Sequence, residues 1–121
     1  MMDLQKVVDE ARPMLEEFLA DVGLYQSGTP LDCARLLEPF SQWIDAQQVT
    51  EADRAHLASR LAAFICEYLI QVRSASRVID GGRIKMRIPF QQGIMREFDP
   101  YAIAFSMAAN RTSLKAFLDG I

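Results

Sequence analysis

The sequence predicts a predominantly helical α+β domain, with about three to five helices packed around a central helix and a small antiparallel β-hairpin before the C-terminal helices. Three observations carry this prediction. Apolar residues recur at helical spacing over most of the first 72 positions, the period changes to two on either side of Gly81-Gly82, and Asp99-Pro100 then marks a fresh helix start. At 121 residues, half of them apolar and 24% charged, the chain has the size and balance of a single globular domain over 1–121 with its own core.

Leu4, Val7, Val8, Ala11, Leu15, Phe18, Leu19 and Val22 form the stripe of the first helix, with Asp3 as N-cap and Gly23 as stop. Pro13 removes one donor and crowds Asp9, yet the stripe continues in phase, so one kinked helix is expected. Its opposite face carries Asp9, Glu10, Glu16, Glu17 and Asp21. Residues 26–30 read as a loop, with Thr29 capping a second helix and Pro30 in its first turn. That helix turns Leu36, Leu37, Phe40, Trp43 and Ile44 inward, and Pro39 predicts a break or kink near Glu38. Thr50 and Asp53 make a capping box that opens a third helix running to about Val72. Leu57, Leu61, Phe64, Ile65, Tyr68, Leu69 and Val72, widened by Ala62, Cys66 and Ile70, leave only a narrow polar stripe of His56, Arg60, Glu67, Gln71 and Ser74. A helix apolar over most of its circumference is central.

Gly81-Gly82 is the signature of a two-residue hairpin turn. It pairs Asp80 with Arg83, Ile79 with Ile84, Val78 with Lys85 and Arg77 with Met86. Ile79, Ile84, Met86 and Ile88 then share a face toward the helices, while Arg83, Lys85 and Arg87 lie on the other with Asp80. Pro89 ends the strand or marks an edge, and a third strand over 94–98 follows a turn at Gln91-Gln92-Gly93. After the Asp99 cap, residues 101–109 carry no charge, which predicts a short helix packed on several sides. Residues 110–112 break it, and residues 113–119 form a last turn or two with Leu114, Phe117 and Leu118 inward.

Catalytic chemistry needs a nucleophile with a base, paired carboxylates or a metal. The one histidine, His56, lies on the polar stripe, and neither a metal cage nor a triad is built from one imidazole. There is no GxSxG, P-loop or GxGxxG, and no helix start follows Gly81-Gly82 to cradle phosphate. Cys33 and Cys66 sit in apolar helical surroundings without CxxC spacing and read as buried free thiols. Glu67, the only charge between Leu61 and Val72, would be a general acid if buried; a solvated stripe shared with Arg60 and Gln71 is the simpler reading. Arg96, Glu97 and Asp99 gather polar groups in a loop, where Asp99 already serves as cap. No catalytic residue, cofactor site or metal site is therefore assigned. The N-terminus lacks a basic segment followed by an apolar block, and no uncharged stretch is long enough to span a bilayer, so a cytoplasmic protein without membrane contact is expected.

The charge layout is the most informative feature. Through Asp53, three basic residues (Lys6, Arg12 and Arg35) face eleven acids; from Arg54 onward, ten basic residues face five acids. The predicted interaction surfaces are an acidic helical face (Asp9, Glu10, Glu16, Glu17 and Asp21, with Glu38 and Asp45) and a basic hairpin face (Arg83, Lys85, Arg87 and Arg96, with Arg73 and Arg77), the latter opposed by Asp80 and Glu97. The order of helices, hairpin and an Asp-Pro helix is similar to that of small bacterial proteins, some of them toxin-neutralising, a resemblance of layout rather than of motif. The expected function is a non-catalytic protein-interaction protein, in concrete form an immunity or antitoxin-like inhibitor that occupies a partner protein's surface. Self-association through the two charged faces is the variant of that reading. Two alternatives stand beside it. One is a nucleic-acid-associated regulator using the basic face, against which stand a pI near 5.1 and no aromatic residue interleaved with the cations. The other is a small enzyme or ligand-binding domain with a pocket between the central helix and the hairpin, using Glu67, Tyr68 or Arg96.

Overall fold

A computed structural model describes residues 3–90, 93–110 and 112–121. Among them the chain forms α1 (Leu4–Asp21), α2 (Cys33–Asp45), α3 (Glu51–Arg73), β1 (Ser76–Asp80), β2 (Arg83–Pro89), β3 (Met95–Phe98), α4 (Pro100–Asn110) and α5 (Leu114–Asp119). This is the predicted helical α+β architecture, with the sheet ahead of the last two helices.

Asp3 caps α1 by accepting from the Gln5 and Lys6 amides, and the helix runs unbroken through Pro13. Likewise α2 is one helix through Pro39, so the proline does not break it. The reason is shared. Pro13 and Asp9, and Pro39 and Arg35, all lie on exposed helix surface, where water takes the carbonyl that proline cannot serve. The start of α2 corrects the sequence reading. The cap is Asp32, which accepts from the Arg35 amide, whereas the Thr29 hydroxyl donates back to the Gln26 carbonyl in a turn. Gln71, on the far helix α3, accepts from the Cys33 amide at 3.0 Å and donates to the Leu31 carbonyl at 2.9 Å, which fixes the entry to α2.

Thr50 opens α3 as predicted: its hydroxyl oxygen accepts from the Asp53 amide and its O–H donates to the Asp53 carboxylate at 2.8 Å. Ten of the 23 residues of α3 are buried, and α1, α2, α4 and β2 all pack on it. Midway along α3, Phe40 meets Phe64 at a centroid distance of 4.9 Å and joins α2 to the central helix, while Phe18 stands edge-on to Trp43 at 5.5 Å and joins α1 to α2.

Ser74, in the left-handed region at φ 55°, and Ala75 are the whole connection from α3 to β1. The hairpin register matches the predicted pairs, from Asp80 opposite Arg83 to Arg77 opposite Met86, and both turn glycines have positive φ. The third strand is formed by Met95–Phe98 on the other side of β2, giving the order β1-β2-β3 with both outer strands open. The Ile94 carbonyl accepts from the Phe90 amide at 2.7 Å; Gln91 and Gln92 of the expected turn lie outside the described residues.

Asp99 caps α4 through the Tyr101 and Ala102 amides. The expectation that α4 is packed on several sides is met in part. It packs on α3 and on β2, with Ala104 and Met107 buried, but Ala102, Phe105 and Ser106 face outward, with Phe105 53% exposed. Two interfaces hold the eleven residues in place while the third side of the helix stays open. Arg111 of the expected break lies outside the described residues; α5 follows with Leu114 and Leu118 buried and Phe117 partly so.

Candidate functional site

Residues directly opposite in an antiparallel ladder point to the same side, so the pairing of Arg77 with Met86 turns Arg77 toward the helices. Arg77 is therefore not part of the outer basic face. It donates from Nη2 to Glu67 Oε1 at 2.9 Å, and Glu67 is only 4% exposed. The reading of Glu67 as a member of a solvated stripe is overturned. The two-residue link after α3 folds the hairpin back over that helix and covers the polar stripe midway.

Around this pair lie Cys66, Cys33 and Tyr101. Burial pulls the Arg77 pKa down, but the Glu67 hydrogen bond and charge, together with the Cys66 sulfur, outweigh it and leave Arg77 above its ordinary value. Burial pushes the Cys66 thiol up to about 11 despite the charge and hydrogen bond of Arg77. Cys33 is pushed up to about 12, first by burial and then by the Glu67 charge. Both are free, buried thiols, as the sequence suggests, and a thiol protonated at neutral pH is a poor nucleophile. Burial also raises the Tyr101 phenol. A buried carboxylate held by a guanidinium, with two buried thiols nearby, fixes the hairpin to α3.

The outer side of the sheet carries Arg83, Lys85 and Arg87, and each has an acidic neighbour. Glu97 accepts from Arg87 Nε at 2.7 Å, Lys85 Nζ lies 3.6 Å from both Asp80 and Glu97, and Arg83 is 4.0 Å from Asp99. The Arg87 hydrogen bond holds the exposed Glu97 carboxyl below the usual carboxylate range. Arg96 pairs with Ile88 across β2 and β3, which places it on the opposite side from Lys85 and Arg87. The fourth predicted member of the basic face is thus separated from the other three by strand parity.

On α1, Asp9, Glu10, Glu17 and Asp21 are exposed and Glu16 is half-buried. Lys6 is 4.0 Å from Glu10 and Arg12 is 3.0 Å from Glu16, both one helical turn apart, and Asp9 accepts from the Gln5 side-chain Nε2. Glu38 and Asp45 are exposed on α2, where Glu38 accepts from Gln42. His56, also exposed, stands edge-on to Phe18 at 6.3 Å. Among the described residues, no ion pair joins the chain up to Asp53 to the chain beyond it. The basic sheet face and the acidic helices of one chain are therefore not joined by ion pairs among the described residues.

Among the described residues no three histidine, cysteine, aspartate or glutamate side chains are placed to hold a metal ion, and no helix is long and apolar enough to cross a membrane. Comparison of the chain with protein-family models, with curated proteins and with solved structures finds no match.

Proposed function

We propose that this chain is a non-catalytic protein-interaction protein whose acidic α1–α2 surface engages a basic surface on a partner protein, in the manner of an immunity or antitoxin-like inhibitor. The observation that supports it is the segregation of charge. Nine of the eleven acids up to Asp53 have no cation within 4.0 Å among the described residues, and the two that do are served from their own helix. An acidic field left uncompensated steers a basic partner and discriminates against acidic ones. The outer sheet face supports a nucleic-acid reading less well, because Lys85 and Arg87 are already engaged by Asp80 and Glu97. A cytoplasmic setting in a bacterial cell belongs to the same proposal.

The test is capture from the source cytoplasm with the native chain, with the triple variant D9K/E17K/D21K, and with K85A/R87A. The expected result is one stoichiometric protein partner, released by added salt, lost with the triple variant and kept with K85A/R87A, with cross-links mapping to α1 and α2. A partner retained by the triple variant and lost with K85A/R87A overturns the proposal, as does a chain that captures nothing at low salt.

A further inference from the structure

Arg73, at the end of α3, and Arg96, on β3, meet at one aromatic ring: their guanidinium carbons lie 5.5 Å and 5.1 Å from the centroid of Phe90. Neither is in an ion pair among the described residues. Arg73 donates from Nη1 to the backbone oxygen of Ile121, the last residue of the sequence, whereas no described residue accepts a hydrogen bond from Arg96. Beside them opens a groove of about 290 Å³ whose floor is Ile88, Phe98, Ile103, Phe117 and Ile121, with Arg96 at its edge. Phe98 and Phe117 stand edge to face at 6.4 Å and form its aromatic wall. Glu97 also borders the groove, but its carboxylate is engaged by Arg87 and Lys85.

An apolar trough bordered by a guanidinium that no described acid neutralises has the chemistry of a receptor for one class of molecule. We propose that this groove binds a small-molecule carboxylate with an aliphatic body, the carboxylate held by Arg96 and the hydrocarbon lying along Ile88, Ile103 and Phe117. The guanidinium fork matches a carboxylate in geometry as well as in charge. The groove's volume is at the lower end of those that hold small ligands, which suits a short chain of carbons over a bulky ring system. The site is at the far side of the sheet from the hairpin turn and shares no residue with the acidic helical surface.

The probe is octanoate, titrated into the full chain and followed through backbone amide resonances, with hexanoate and decanoate for chain length and 1-octanol and octyltrimethylammonium as head-group controls. Saturable shifts centred on Ile88, Phe98 and Ile103 are expected, with affinity rising about threefold to fourfold per added methylene. Octanol and the quaternary amine are expected to bind at least tenfold more weakly. R96A, which removes a side chain whose described protein contact is the Phe90 ring, is expected to weaken octanoate about tenfold, and R96K to recover part of the loss. I103W fills the trough without touching either cation and is expected to abolish binding in a chain whose circular dichroism is unchanged. No saturable shift with octanoate overturns the proposal, as does equal affinity for octanol or an R96A chain that binds as tightly as the native one.

Discussion

Up to Asp53 most of the acids have no cation in reach among the described residues, whereas beyond that point all five acids (Glu67, Asp80, Glu97, Asp99 and Asp119) stand in ion pairs. The contrast teaches how secondary structure sets the fate of surface charge. A helix brings together only residues three or four apart, so a run of like-signed residues on one face stays unneutralised unless another element covers it. A ladder places residues far apart in sequence side by side, and Lys85 thereby reaches both Asp80 and Glu97. The N-terminal helices keep an electrostatic field, and the sheet cancels most of its own.

The comparison is sharpened most by removing the deepest of these pairs. Glu67→Ala leaves the Arg77 guanidinium facing α3 with no counter-charge, and a loss of about 3 kcal/mol in urea unfolding is expected, at the low end for broken buried pairs because Arg77 keeps some exposure. The double substitution E67M/R77M is expected to recover most of that loss, since two apolar side chains of similar volume need no partner. A double variant as unstable as the single one breaks the view that the pair is held together by mutual compensation.

A smaller effect distinguishes the two thiols, one from each region. In the unfolded chain both ionise near 9.0, while in the native protein Cys66 ionises at about 11 and Cys33 at about 12. Between those values the unfolded chain has released protons that the native state retains, so rising pH favours unfolding; below pH 9 the thiols contribute no slope. Stability is expected to fall by on the order of 2 kcal/mol per thiol by pH 11, and the raised Tyr101 phenol adds to the fall above its ordinary value. The slope of unfolding free energy against pH, compared with that of C33A/C66A, checks this. An equally steep slope without the thiols refutes it.

The smallest effect is expected at the sheet surface. Glu97→Ala removes the acceptor shared by Arg87 and Lys85, yet both cations are solvated and the urea midpoint is expected to stay within measurement error. What changes is the field: the outer face gains a unit of positive charge and retention on a cation-exchange resin increases. A clear loss of stability shows that the ladder is structural.

Much of the fold is legible in the sequence because its signals are local. The Asp3, Thr50 and Asp99 caps act within three residues of themselves, and Gly81-Gly82 dictates the hairpin register without outside help. What is not legible depends on partners distant along the chain. The start of α2 is capped by Asp32, but Thr29-Pro30 is a local signal that looks equally good, and the hold on Leu31 and Cys33 comes from Gln71, about forty residues away. Glu67 lies on a stripe that helical periodicity marks as polar, and only the landing of the hairpin buries it. One clue was present: the register that pairs Arg77 with Met86 already turns a cation inward, and a cation turned inward needs a buried acid. Arg96 is misassigned from sequence for a simpler reason, since placing it on a face requires knowing which β2 residue it opposes. For α4, the absence of charge says that the helix is apolar but not how many neighbours it has, and Phe105 is left in the open.

The sheet has only three strands and does not close, so β1 and β3 each turn a row of unpaired peptide groups outward. Such margins are where foreign chains add themselves and fibres begin. Here β3 is four residues long and carries Arg96 and Glu97 at its centre, and β1 ends in Asp80, so a strand arriving at either margin finds few bonds to make and charges to accommodate. With Ile94 and Met95 uncovered where this margin begins, the shortness of β3 limits how much an arriving strand can pair with.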